Sequence, residues 1–294
     1  MLLCFVPPDS PTTSSHAHTL SPWLDLNFFR GYKSLKLLRE STDAVAASIS
    51  DIRLLLKVKS LPRSSESRRV FLTGGTGYIG SGLIPILLER GHRVRVLIRP
   101  GSKAQLPAAC EVVSGNALDA NSYRQLIRPA DTFIHLVGVP HPSPAKAAEF
   151  RAIDLVSARE AIAACAELGM RHFIYVSIAH PAPLSMMKDY IAVRAECELM
   201  IQERLLNSTI LRPWYVLGPG HRWPYLLLPF YKACEWLPFT RAAALRLGLV
   251  TLDQLIVALI EAVESPVQGI RIAGVPEICS AGLKLSPEGT RKSA

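Results

Sequence analysis

The segment "KDYIAVRAE" at 188–196 sets Tyr190 four positions ahead of Arg194. In a helix that spacing puts a phenol and a cation on one face, one turn apart. Such a pair can do acid–base chemistry. A phenol titrates near pH 10, so it exchanges protons near neutrality only where a fixed positive charge supports its anion. Ser177 ends the apolar run "FIYVS", thirteen positions before Tyr190. A strand end followed by a helix can bring the two together, with the serine hydroxyl holding a reacting oxygen. The competing reading is structural: the tyrosine packs against a sheet with the arginine stacked on it, and the serine bonds to nearby backbone.

A second group of residues points to a bound anion. "FLTGGTGYIG" contains Gly75-x-Gly77-x-x-Gly80, overlapped by Gly74-x-x-Gly77-x-x-Gly80, between an apolar strand-like run and a helical one. Glycines in that setting allow a tight turn and a close backbone approach to a pyrophosphate. The free N–H groups of the following helix then face the charge. About 20 residues further on, where a carboxylate would take the ribose 2′-hydroxyl of NAD, this chain has Arg99, and no acid occurs from Gly91 to Ala109. With Lys103 close by, the site is expected to take a 2′-phosphate, hence NADP in preference to NAD.

These groups need a scaffold, and the pattern from Val70 onward predicts one: short apolar runs alternating with helical segments, the signature of βαβ units and a parallel sheet. Strands are expected at 69–73, 93–99, 110–113, 132–137, 172–177 and 208–212, with a last one in "GIRIAGV". Helices are expected at about 78–90, closed by Gly91 and holding Pro85, and at about 147–168, closed by Gly169. A third carries Tyr190 and Arg194, and a fourth follows a capping-box pattern at Thr251 and Gln254. The fold class expected is α/β, a Rossmann-type doubly wound parallel sheet with a small C-terminal region covering the substrate.

The expected organisation is an N-terminal extension over 1–67, partly irregular or loosely helical, a dinucleotide-binding domain over 68–280 and a polar tail over 281–294. The extension includes a Pro/Ser/Thr-rich stretch at 7–22, an amphipathic stretch at 43–59 and a linker at 62–69. Its opening "MLLCFV" stops at two prolines, and residues 1–24 hold no Lys or Arg, which argues against a secretory signal or an Arg-rich transit peptide. No apolar run approaches the roughly 20 residues of a membrane-spanning helix. The six cysteines show no metal-ligand spacing, so reduced thiols in a cytoplasmic setting are expected and no metal is. The net charge of +9 forms no basic stripe interleaved with aromatics, so an anionic cofactor explains it better than a nucleic acid. Peripheral membrane contact is open through 43–59 or 221–240.

Taken together, "TGGTGYIG", "GNALD" (115–119), "FIHLVG" (133–138), "FIYVS", "YIAVR" and "TILRPWYVLGPG" (209–220) resemble the short-chain dehydrogenase/reductase superfamily over residues 69–276. The likeness is to its extended and atypical members, epimerase/dehydratase-like and NmrA-like. It implies Ser177, Tyr190 and Arg194 as the catalytic set, with arginine where active relatives use lysine. It also implies cofactor contacts from Gly74, Gly75, Thr76, Gly77, Tyr78, Ile79, Gly80, Arg99, Asn116, Ala117, Val137, Gly138 and Pro213. Asn116 stands where an aspartate is usual, and its amide oxygen can still accept from an adenine amine. Arginine supplies charge but cannot give up its proton, which points to a weaker or specialised catalyst. Segment 214–248, with Trp214, Tyr215, Trp223, Tyr225 and Trp236, covers the substrate in relatives and is expected to suit an apolar or aromatic one, with His221 or Arg222 at a polar end. The function expected is that of an NADP-dependent oxidoreductase, or an epimerase/dehydratase-like enzyme, acting on a carbonyl or alcohol. The alternative is a non-catalytic NADP-binding sensor or accessory subunit.

Overall fold

The computed structural model describes residues 66–102, 105–180, 187–204, 207–218 and 248–281. All lie in the second of two compact units, Ala47–Ala294. The expectations for 1–65, Lys103, the aromatic-rich stretch 221–240 and the tail after Ala281 fall outside the described residues.

Nine strands are described: β1 (Arg69–Thr73), β2 (Arg93–Ile98), β3 (Glu111–Ser114), β4 (Thr132–His135), β5 (His172–Val176), β6 (Ser208–Leu211), β7 (Tyr215–Leu217), β8 (Leu249–Thr251) and β9 (Ile270–Ala273). Seven form one sheet in the order β3-β2-β1-β4-β5-β6-β9, and every pair is parallel. Chain order reverses between β1 and β4, so the crevice beyond the C-terminal ends of those two strands is the switch point at which a doubly wound sheet takes its ligand. β7 and β8 pair separately, bringing the two ends of segment 214–248 side by side.

The central strands are buried on both faces, which is why they read as unbroken apolar runs. Alternate residues point to opposite sides. Val70, Leu72, Val96, Ile134, Ile174 and Leu211 meet helices α1 (Tyr78–Glu89), α4 (Leu252–Glu264) and α5 (Val275–Ala281). Phe71, Phe133, Phe173, Tyr175 and Ile210 meet α2 (Val156–Glu167) and α3 (Lys188–Glu203). Phe71, Phe133 and Phe173 sit in register across β1, β4 and β5 with ring centroids 5.3 and 5.5 Å apart. They form an aromatic ladder on that face of the sheet.

Local chemistry sets the boundaries. α1 ends at Gly91 (φ +87°) and α2 at Gly169 (φ +61°), where left-handed backbone favours glycine. α4 opens on the expected capping box: Thr251 Oγ1 accepts from the Gln254 amide at 3.2 Å, and Gln254 Oε1 accepts from the Thr251 amide at 2.8 Å. Among the elements expected, two depart by more than a residue at either end. β4 ends at His135 and not at 137: the Leu136 amide still donates to Thr73 O at 3.0 Å, and β1 itself ends at Thr73 before the Gly74 turn. The helix expected over 147–168 is not uniform. A helical turn at Ala147–Glu149 passes through a π-helical stretch, Phe150–Leu155, before continuing as α2.

Candidate active site

The glycine loop joins β1 to α1 at the switch point. Gly74 has φ +78°, and a Cβ there would lie 2.6 Å from the Leu136 backbone, so glycine is needed both for the turn and for the approach to the loop after β4. A Cβ on Gly80 would lie 2.6 Å from Gly75 Cα, which explains the third glycine as a packing contact between loop and helix. Gly77 differs: a Cβ there would meet only the Gly74 carbonyl, at 3.2 Å, and Thr76 and Gly77 are exposed. No side chain caps α1 and no acid stands in its first turn. The first amides of the helix therefore face an open cradle without a competing acceptor, and these residues fit the pyrophosphate of a dinucleotide.

The flanking positions are consistent with that ligand. Arg99 follows β2 and is exposed; its carbonyl accepts from the Ser102 amide at 3.0 Å, and its guanidinium makes no hydrogen bond or ion pair among the described residues. Asn116 is exposed after β3. Its Oδ1 already accepts from the Leu118 amide at 3.1 Å, which leaves one lone pair for an adenine amine. Ala117, Val137 and Gly138 are half-buried along the same strand ends. Pro213 is buried, and its carbonyl accepts from the Ala179 amide at 2.9 Å, joining the loops after β5 and β6.

Ser177 and Tyr190 lie on elements that Arg194 joins. Ser177 follows β5 and is held by its amide to Leu211 O at 2.7 Å. Its hydroxyl is buried, the residue being 4% exposed, and makes no hydrogen bond among the described residues. A buried hydroxyl with no partner is costly unless something else fills the role. Tyr190 lies in the first turn of α3, half-buried, with its ring 4.9 Å from that of Phe150. Arg194 links the two by donating to the carbonyl of Val176, the residue before Ser177, at 3.0 Å and placing its guanidinium 5.1 Å over the Tyr190 ring.

Arg194 is stacked on Tyr190, as in the structural alternative above, and its charge is already partnered. It is 7% exposed, donates to Asp154 Oδ1 at 2.6 Å and to the Tyr175 hydroxyl at 3.2 Å, and also lies over the Tyr175 ring. Burial opposes its charge, but Tyr175, Tyr190 and Asp154 together hold it more firmly protonated than usual. Burial pushes the Asp154 carboxyl up, against the pull of Arg194 and the Val139 amide. Arg194 therefore touches Tyr190 through the ring face, and its hydrogen bonds go elsewhere.

Two acids escaped the sequence reading, and a buried histidine of structural role stands with them. Asp154 is one, an isolated acid within "FRAIDLVSA". His135, 1% exposed, spans from Thr73 Oγ1 (2.9 Å) to Ser157 Oγ (3.3 Å). Burial and then the Arg194 charge lower its pKa to about 3, so it is a neutral strut. Glu198, one turn after Arg194, is buried between His180 Nε2 (3.3 Å) and a two-pronged contact from Arg212 (Nε at 3.1 Å). No sequence signal pairs residues so far apart. Among the described residues no cluster has the make-up of a metal site, and no helix is long and apolar enough to cross a membrane.

A doubly wound parallel sheet with a glycine cradle at its switch point, a serine after β5 and a tyrosine in the first turn of α3 defines a dinucleotide-binding protein of the short-chain dehydrogenase/reductase type. Residues 74–221 match the family described as NAD(P)H-binding, and the chain belongs to that family. It is 26% identical over 203 residues to a ceramide reductase of Caulobacter vibrioides, covering 68% of this chain and 62% of that one. It is 24% identical over 170 residues to a 4-hydroxy-2-methyl-3-oxo-4-farnesyl-3,4-dihydroquinoline-1-oxide ketoreductase of Stigmatella aurantiaca, covering 51% of each. The chain thus spans less than two thirds of the length of these curated relatives. In fold it is similar to the Bordetella bronchiseptica enzyme WbmH, solved in complex with NAD+, with a TM-score of 0.53, 21% identity, and 70% of this chain and 75% of that one covered.

Proposed function

We propose that this chain is an NADP-preferring oxidoreductase that interconverts a carbonyl and an alcohol on an apolar, lipid-like substrate. The observation that carries the reading is the buried Ser177 hydroxyl, unpartnered among the described residues, directly after Val176, whose carbonyl Arg194 joins to the Tyr190 ring. A bound nicotinamide supplies or accepts the hydride. The Ser177 hydroxyl donates to the substrate oxygen and holds it in place, and the Tyr190 hydroxyl gives that oxygen its proton on reduction or takes it on oxidation. Arg194 keeps the Tyr190 ring in position. Arg99, exposed and free of an acidic neighbour, meets the 2′-phosphate. The ceramide and farnesyl groups in the relatives' names, with the aromatic residues of 214–248, support an apolar substrate.

A second reading, an NADP-binding sensor or accessory subunit without catalysis, is favoured by one observation: the Arg194 charge is already met by Asp154. One experiment separates the two. NADPH consumption is followed with a panel of long-chain and isoprenoid ketones in detergent, using the wild-type chain and Tyr190→Phe. Catalysis predicts turnover that falls at least a hundredfold in Tyr190→Phe while NADPH affinity stays within about twofold, since only a hydroxyl is removed. Binding without turnover across the panel favours the sensor, and equal turnover by the two proteins would remove Tyr190 from the mechanism.

A further inference from the structure

The Tyr190–Arg194 pair is gripped from one side by a single irregular element. The π-helical stretch Phe150–Leu155 interrupts an otherwise regular helix, and such bulges persist where they aim particular side chains. Both ends of this one reach the pair: Phe150 packs its ring on Tyr190, and Asp154 meets the Arg194 guanidinium. Asp154 is 1% exposed, and each of its oxygens is engaged, Oδ1 by Arg194 at 2.6 Å and Oδ2 by the Val139 amide at 2.9 Å. The loop after β4 is drawn in tightly. A Cβ on Gly138 would lie 2.6 Å from Arg194 Nη2 and 3.2 Å from Asp154 Oδ1, so a side chain there would displace the ion pair.

Three elements therefore meet at one carboxylate: the loop at 137–139, the π-helical stretch and the first turns of α3. The charges cancel locally, because a carboxylate 2.6 Å from a guanidinium leaves little net field for a phenol reached only through its ring face at 5.1 Å. A buried pair of this kind fixes geometry more than it adds stability.

We propose that Asp154 is a positioning residue of this site: through Arg194 and the Val139 amide it ties the loop at 137–139 to the helix bearing Tyr190, so that position 194 acts as a charge-neutral brace. The proposal rests on the reading above that the loop at 137–139 faces the cofactor and that Tyr190 faces the substrate.

The test compares the full-length wild type with Asp154→Leu, Arg194→Met, the double variant and Arg194→Lys. Three quantities are measured: amide hydrogen exchange at Val139, NADPH affinity by fluorescence titration, and melting temperature. Each of the two single variants leaves one charge buried without its partner. Val139 exchange is expected to accelerate at least tenfold and NADPH affinity to drop at least fivefold in each. The double variant, with no stranded charge, is expected to melt above both singles and to bind NADPH no more weakly than the worse of them. Arg194→Lys keeps an ion pair and is expected to hold Val139 exchange within about threefold of wild type. Singles that fail to fold alongside a folded double also support the brace. Multiplying losses in the double, a double less stable than either single, unchanged Val139 exchange in Arg194→Met, or a lysine variant that behaves like the methionine one would each overturn it. A wild-type chain that binds neither NADPH nor NADH would refute the cofactor reading alone, because Val139 exchange and melting still decide the brace.

Discussion

Arg99 and Ser177 are single residues whose chemistry is unmet within the described protein: a guanidinium exposed at a strand end and a hydroxyl buried without a partner. Each marks where a different part of a ligand is expected. Arg99 lies beyond β2, at the distance along the chain where a ribose is discriminated, and a 2′-phosphate would give it a charge-assisted contact. NADPH is therefore expected to bind at least tenfold more tightly than NADH, about 1.4 kcal/mol. Arg99→Asp should reverse the order, since a carboxylate repels the phosphate and accepts from a 2′-hydroxyl. Fluorescence titrations of both dinucleotides against both proteins check this, and equal affinities in the wild type would contradict it.

At the scale of elements, the sheet holds its helices by apolar burial, and one polar fastening closes the face formed by α1 and α4. Glu264, the last residue of α4, accepts from Arg90 (Nη2 at 2.8 Å), which follows α1, and from His92 Nε2 (3.2 Å), at the entry to β2. Burial pushes its carboxyl up, but the His92 and Arg90 contacts outweigh that and hold it below the usual carboxylate range. The fastening is thus complete above the pKa of a free glutamate and is lost as pH falls through the lowered folded value. Glu264→Gln is expected to destabilise the protein by about 1–3 kcal/mol at pH 7, because it removes the carboxylate from charge-assisted contacts with the almost fully buried Arg90 and His92 side chains. Urea unfolding measures it, and the difference between the two proteins should shrink below about pH 4.

For the whole molecule, two neutral histidines under the sheet tie stability to pH. Burial, then the Arg194 charge, puts His135 at about 3. Burial, then Arg68 and Arg271, puts His172 at about 4, where its Nε2 meets Thr209 Oγ1 at 3.1 Å. Both values lie below the ordinary 6.5. The unfolded chain therefore takes up protons first as pH falls below 6.5, and the folded state loses ground until its own histidines titrate. Above pH 7 neither contributes. The expected slope is about 1.4 kcal/mol per pH unit per histidine between roughly pH 6 and 4.5. Unfolding free energies measured over that range should fall steeply in the wild type and less so in His172→Gln, whose amide does not titrate. A flat wild-type profile would show that the two imidazoles are not held neutral.

The sequence by itself determined the alternation of strands and helices, the parallel doubly wound class, the glycine cradle, the capping box at Thr251 and the closing glycines at 91 and 169. Each of these follows from periodicity or from backbone demands that act over a few residues. The placement of Ser177 after a strand and of Tyr190 in the first turn of a helix was also legible, because thirteen residues suffice for one strand end and one helix start. What only the tertiary structure decided was the state of the arginine between them. Sequence spacing puts Arg194 one turn from Tyr190, but Asp154 lies 40 positions earlier, at the end of a bulge that no short-range pattern announces. Whether a cation is free or paired depends on which distant element folds against it. Local periodicity builds the elements, and only their packing sets the field at the site.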